Sequence, residues 1–219
     1  MKLDLSEPLR YLGVRGKPDP ALLAELSSVA DKLTRSVAPR YIWRVFPLSF
    51  REEGPALEGI GLTLPGGMAA RMLGECSQAV LLACTLGAGF EALLRAEQAR
   101  SMARAAMLDA CGSAWVEAGC DAAEEEISAR FPELYRTDRF SPGYGDLPLT
   151  IQKDVCALLD APRRLGVQVT DSLLMNPSKS VTAVIGLADR PQPARIRGCG
   201  FCSLRESCQY RKGGKTCGS

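Results

Sequence analysis

Histidine is missing altogether from the 219 residues. Its absence excludes a Ser-His-Asp triad, a Cys-His nucleophile pair, histidine-ligated zinc and an imidazole general base. Long apolar runs are missing too. The longest, residues 79–84 with its flanks, is too short to span a bilayer. The opening MKLDLSEPLRYLG has neither a continuous apolar core nor a cleavage site. The expectation is a soluble, cytoplasmic protein without membrane contact. Charge of one sign is not in excess either: the formal net charge is +2, which gives no preference for nucleic acid. Neither GxGxxG after a strand nor GxxxxGK[ST] occurs, which disfavours the nucleotide folds built on them.

What remains is a chain that is 46% hydrophobic, enough for one ordinary domain with a real core and a small appendage. It also has nine cysteines. In a cytoplasmic protein these read as metal ligands or small buried hydrophobes rather than disulfides. Cys76, Cys84, Cys111, Cys120 and Cys156 lie in apolar stretches and are expected in the core.

Local patterns predict a mixture of helices and strands. Residues 6–13 read as a short helix with Ser6 as its cap. Asp19-Pro20 opens a longer helix whose apolar positions are Leu22, Leu23, Leu26, Val29 and Leu33. Tyr41, Trp43 and Val45 alternate as a strand ended by Pro47, and residues 57–64 read as another strand. A helix over 66–74 precedes a central strand over 78–85. One long helical region covers 90–130, with Val116, Cys120, Ala123 and Ile127 on one face and Glu124, Glu125 and Glu126 on a solvated one. Residues 131–148 are irregular and 149–159 helical. Strands over 167–169 and 181–187 are joined through Asn176-Pro177-Ser178. Without strict βαβ alternation, the expected class is α+β, a twisted and mainly antiparallel sheet flanked by helices, with a short cysteine-rich C-terminal tail. The expected organisation is an N-terminal segment over 1–66 packed on a core over 67–190, followed by a tail over 191–219.

Two segments carry chemistry. In the stretch Arg139-Phe-Ser141-Pro142-Gly143-Tyr144-Gly145, Pro142 and Gly143 build a tight turn, and the glycines allow close backbone approach to a ligand. Arg139 offers a planar fork for a carboxylate, and Tyr144 a ring face and a hydroxyl. A surface turn with an exposed arginine would carry the same residues. The second segment is the tail, Cys199-x2-Cys202-x5-Cys208-x8-Cys217. Four thiolates within nineteen residues can wrap a tetrahedral metal or a cubane cluster, and nearby Arg and Lys offset their charge. Zinc ribbons favour two C-x2-C knuckles and only one is present, so the spacing leans toward a 4Fe-4S iron–sulfur cluster, with zinc as the alternative.

The first segment resembles the reactivation domain of cobalamin-dependent methionine synthase. The shared pattern R-x-x-P-G-Y-x-x-x-P-x-x-x-x-K is met by Arg139, Pro142, Gly143, Tyr144, Pro148 and Lys153. Met175-Asn176-Pro177-Ser178-Lys179-Ser180-Val181 is similar to the family's M-x-P-x-x-S-V turn, and Asp109 with Glu117 to its D-x7-E helix. The resemblance covers residues 87–186. It departs at Leu149-Thr150, where the family often has Asp-His, and after Gly186, where the family continues with a tyrosine-bearing segment.

The resemblance implies a free-standing reactivation protein. It would bind S-adenosylmethionine and, as a methyltransferase component, support reductive methylation of cob(II)alamin. The implied partner is a cobalamin-dependent methionine synthase lacking its own such domain, which carries the cobalamin; an electron donor would act alongside it. Arg139 would hold the methionine carboxylate, the 141–144 backbone would shape the nucleoside site, and Glu117 would meet the ligand's positive end. Two other readings stand beside it: an activator of another corrinoid methyltransferase, and a non-enzymatic scaffold with a zinc tail.

Overall fold

A computed structural model describes residues 1–192 together with Ile196 and Glu206. The chain divides into two compact units, each made of three segments. The elements are α+β, as expected, with five strands in one sheet in the order β2 (Gly54–Leu57), β1 (Arg40–Arg51), β3 (Gln78–Thr85), β7 (Ser180–Ala188) and β4 (Tyr135–Arg136).

The first unit comprises Met1–Arg44, Leu82–Ile127 and Gln152–Thr182. Its N-terminal helix α1 (Ser6–Tyr11) starts one residue after Leu5 and has no side-chain cap of its own. Ser6 is therefore not the cap expected: its N–H and hydroxyl both donate to the Asp4 carboxylate, at 2.9 and 2.7 Å. Helix α2 (Pro20–Ser36) follows its sequence signals closely. Asp19 accepts from the Ala21 N–H at 2.7 Å, and Pro20 occupies the first turn, where no N–H is needed. Leu26, Val29, Ala30 and Leu33 recur at helical spacing and are buried.

The long helical region is two helices, α4 (Gly87–Gln98) and α5 (Met102–Arg130). Ser101 supplies the break: its hydroxyl accepts from the Arg104 N–H at 3.3 Å and caps α5. Along α5, Val116, Cys120, Ala123 and Ile127 are buried as expected. Glu124 is buried as well, which corrects its placement on a solvated face. The helix buries more than one side, so its acidic run cannot all face water. Glu126 stays exposed and accepts from Tyr41 Oη at 2.8 Å and Trp43 Nε1 at 3.1 Å. That hydrogen bond is the main reason the Tyr41 phenol is held above its ordinary pKa.

Phe90 is fully buried, and its ring lies directly over Gly112. A Cβ at Gly112 would stand 2.4 Å from Phe90 Cε2. Gly119 is equally constrained, because a Cβ there would meet Pro39 Cβ at 2.5 Å. Small residues at these positions let α5 approach its neighbours closely.

A charged cluster joins three helices of this unit. Glu97 is 3% exposed and accepts from Lys32 Nζ at 2.6 Å and Arg104 Nε at 3.3 Å, while Arg104 also reaches Glu25 at 3.4 Å. Its two cations are themselves partly exposed, and the Lys32 hydrogen bond leads in holding the Glu97 pKa below the usual carboxylate range. A lowered folded-state pKa stabilises the fold above the ordinary glutamate value, and that stability is lost as pH falls through the folded value. Glu97→Gln is therefore expected to lower the melting temperature at pH 7 and to reduce the difference from wild type in acid. Discounted for screening, the loss at pH 7 is about 1–2 kcal/mol. Thermal scans between pH 7 and pH 3 measure it.

Helices α6 (Ile151–Leu158) and α7 (Ala161–Leu165) complete the helices of the first unit. The strand expected over 167–169 is β5 (Gln168–Val169). It pairs antiparallel with β6 (Met175–Asn176) in a separate two-stranded ribbon, rather than being joined directly to the next strand.

The second unit comprises Val45–Leu81, Ser128–Ile151 and the described residues from Ala183 onward. Strand β1 (Arg40–Arg51) does not end at Pro47. The Pro47 carbonyl accepts from the Glu58 N–H at 2.9 Å, and the Leu48 N–H donates to Ser77 at 3.0 Å, so pairing continues past the missing donor. Its hairpin partner β2 (Gly54–Leu57) pairs antiparallel from Leu48↔Leu57 to Arg51↔Gly54. The strand expected over 57–64 is thus displaced to 54–57. Gly59 and Gly61, both at positive φ, turn the chain, and Thr63 then bridges back to Ala56. Helix α3 (Gly67–Leu73) and β3 (Gln78–Thr85) match the expected boundaries. Strand β4 (Tyr135–Arg136) pairs antiparallel with β7 (Ser180–Ala188).

Among the described residues, no helix is long and apolar enough to cross a membrane.

Candidate functional site

Residues 135–147 of the second unit are placed by the edge of the sheet. Beyond β4, the Thr137 N–H donates to Gly186 at 3.0 Å, and the Gly186 N–H donates to Thr137 Oγ1 at 2.9 Å. Phe140 and Val184 then exchange backbone hydrogen bonds at 3.0 and 2.7 Å. The Phe140 ring is fully buried, so the chain is nailed down just before the turn. Arg139, between these anchors, is half-buried and has partners within the chain. Its neighbour Asp138 accepts from the Ile196 N–H at 3.0 Å.

The turn itself is a type II turn by its bonding and torsion. The Tyr144 N–H donates to the Ser141 carbonyl at 3.0 Å, Pro142 stands at the second position, and Gly143 has φ 90° at the third. A second turn follows at once, with the Leu147 N–H donating to Tyr144 at 3.0 Å and Gly145 at φ 56°. The Gly143 N–H then closes back on Leu147 at 2.9 Å. Pro142 and Leu147 are buried beneath, while Gly143, Tyr144 and Gly145 face outward. Tyr144 is 55% exposed, a large ring presented to solvent. The Gly143 and Tyr144 N–H groups are used within the loop, so the groups it can still offer are carbonyl lone pairs and the Tyr144 ring. A guanidinium and an exposed phenol ring carried on one short stretch are groups suited to a carboxylate and to a planar heterocycle respectively.

One residue that sequence reasoning missed completes the loop. Asp146 Oδ2 accepts from the Gly67 N–H at 2.6 Å, and Oδ1 from the Met68 N–H at 2.9 Å. Those two hydrogen bonds, Met68 first, hold its carboxyl below the usual range. The acidic residue after a Gly is the only local signal; its partners lie about eighty residues earlier.

Glu117, the other expected ligand residue, lies half-buried on α5 in the first unit, and it too has partners within the chain. It contributes, after burial and Glu7, to raising the Tyr11 phenol above its ordinary pKa. Asp109 and the 175–181 motif meet in this same unit. Lys179 reaches Asp109 at 3.0 Å and Ser113 Oγ at 2.9 Å. Glu91 of α4 accepts from both the N–H and the hydroxyl of Ser178, at 2.8 and 2.7 Å. Ser180 Oγ lies 2.7 Å from Thr85 Oγ1. The 175–181 stretch, which contains a cis Asn176-Pro177 bond, therefore ties α4 and α5 to the start of β7.

The five expected core cysteines are all buried and free. Burial pushes the Cys111 thiol up to about 12 and the Cys76 and Cys156 thiols up to about 11, far from nucleophilic thiolates. The native protein is expected to resist alkylation at these three positions at pH 8, measured by peptide mass mapping, and to react there only once unfolded. Cys199, Cys202, Cys208 and Cys217 lie outside the described residues. Among the described residues, no cluster of three or more potential metal ligands occurs.

The antiparallel sheet with its flanking helices and edge loop defines an α+β fold. A crystal structure of the MetH reactivation domain bound to AdoHcy superposes with a TM-score of 0.66 over 97% of this chain and 82% of that one, at 18% identity, a likeness that shows the fold. The comparison with curated proteins finds no match. Over residues 88–193 the chain matches the family model described as vitamin B12 dependent methionine synthase, activation domain.

Proposed function

We propose that this protein binds S-adenosylmethionine at the 139–144 loop and presents its S-methyl group to the cobalamin of a methionine synthase. The observation that carries the reading is the loop itself. Its Arg139, Pro142, Gly143 and Tyr144 fall inside the family-matched segment, on a fold shared with a reactivation domain whose structure holds AdoHcy. The Arg139 fork meets the methionine carboxylate, Tyr144 offers its ring to the nucleoside, and the Ser141 to Gly143 carbonyls border it. Glu117 is proposed for the ligand's cationic end.

The overall change takes cob(II)alamin, one low-potential electron and S-adenosylmethionine to methylcobalamin and S-adenosylhomocysteine. The chain's own share is orientation of the methyl donor, which needs no histidine. Calorimetric titration with S-adenosylmethionine tests the binding: a saturable isotherm at one site per chain is expected, and no heat or saturation at millimolar ligand overturns it.

In this reading residues 67–190 form the ligand-binding core and 191–219 a metal-binding tail. Cys199, Cys202, Cys208 and Cys217 are the proposed ligands of an iron–sulfur cluster, which when bound supplies one-electron transfer. Their number, their spacing and the surrounding Arg and Lys support the assignment. Protein purified anaerobically is expected to carry iron and sulfide in near-equal amounts. Stoichiometric zinc without iron would replace the cluster by a structural zinc site.

A further inference from the structure

We propose that Asp146 is a positioning residue: its carboxylate latches the 141–147 loop onto the first turn of α3 and so sets the ligand-ready shape of residues 141–144. The proposal rests on the reading of this loop as a ligand site.

The first amides of a helix have no partner within it and must be satisfied from outside. In α3 the N–H groups of Gly67 and Met68 are satisfied by one carboxylate, Asp146, at 2.6 and 2.9 Å, from a residue 79 and 78 positions away. The surroundings are shaped for that contact. At Gly66, φ 100°, a Cβ would stand 2.7 Å from Asp146 Oδ1 and 2.8 Å from its Cγ, so no larger residue leaves room for the carboxylate. At Gly145 a Cβ would meet Met68 Cε at 2.9 Å. The loop is thereby gripped at both ends. Phe140 is paired to Val184 on one side, and Asp146 with buried Leu147 holds the other. Residues 141–145 between these grips have little freedom left, and Gly143, Tyr144 and Gly145 among them face outward. Losing the latch releases the far grip and lets the turn sample other shapes, each of which reduces the ligand-competent fraction and hence the apparent affinity. Asp146 is itself exposed, so its effect falls on the loop rather than on global stability.

The test compares wild type, Asp146→Ala and Asp146→Asn by three measurements: melting temperature, amide hydrogen exchange without ligand, and S-adenosylmethionine titration. Asp146→Ala is expected to melt within a few degrees of wild type. Its Gly143 and Leu147 amides should exchange at least tenfold faster, and its dissociation constant should rise about tenfold or more. Asp146→Asn, which keeps one acceptor oxygen but sets an NH2 group against the other donor, should fall between them in both readouts. Unchanged exchange in Asp146→Ala overturns the latch whatever the ligand does. Faster exchange with unchanged affinity overturns its role in binding. If wild type does not bind S-adenosylmethionine, the ligand reading fails separately, and the exchange data still decide whether the latch holds the loop.

Discussion

Replacing Arg139 by Ala is expected to weaken S-adenosylmethionine binding roughly 10- to 100-fold, the loss of one charge-assisted contact of about 1.5–3 kcal/mol. The sheet edge gives the reason the loss should be so large. Phe140 is locked to Val184 by two backbone hydrogen bonds, so the backbone at position 139 cannot swing a neighbouring cation into the vacated place. Arg139→Lys retains the charge but not the planar fork, and should fall between wild type and alanine. Because Arg139 is half-buried and has partners within the chain, the melting temperature must be followed in parallel. Calorimetry at one salt concentration with matched melting curves separates lost recognition from lost structure. Wild-type affinity in a folded Arg139→Ala protein would remove the carboxylate assignment.

The largest effect on stability is expected from Phe90→Ala. The ring is fully buried, stacks on Gly112 of α5 and has the Lys179 ammonium 6.0 Å from its centroid. Truncation removes its transfer free energy and leaves a cavity that cannot collapse, because Gly112 has no side chain to move into it. Losses of about 3–5 kcal/mol are typical of such sites. For a chain of this size that corresponds to a fall of roughly 6–20 °C in melting temperature. The converse substitution, Gly112→Val, forces atoms into the ring and should destabilise by about 1–3 kcal/mol or more. Combining the two should cost less than their sum, since valine partly fills the hole left by the phenyl group. Strict additivity in thermal melts would contradict the packing described.

The sequence made most of these elements visible where the signal is local. Asp19-Pro20 marks the start of α2, and Leu26, Val29 and Leu33 mark its buried stripe. The Pro142-Gly143 turn was legible for the same reason, since a type II turn needs a positive φ that glycine supplies at little steric cost. Features set by distant partners were not legible. Pro47 sits inside β1 because its strand neighbours need only its carbonyl. The break between α4 and α5 carries no Gly or Pro, and depends on Ser101 reaching Arg104. Glu124 is buried by packing on a second side of α5, which a short acidic run conceals. In sequence Asp146 is like any loop aspartate, because the first turn of α3 that it holds lies 78 and 79 residues earlier. The resemblance in sequence likewise covered residues 87–186, whereas the likeness in fold covers 97% of the chain.

The most direct test of the functional claim is an anaerobic absorbance assay. Cob(II)alamin-loaded methionine synthase is mixed with S-adenosylmethionine, a low-potential one-electron reductant and this protein. The account predicts that the cob(II)alamin spectrum converts to that of methylcobalamin only when all components are present, and much more slowly with Arg139→Ala. Conversion at the same rate without this protein, or no conversion with it, would contradict the account.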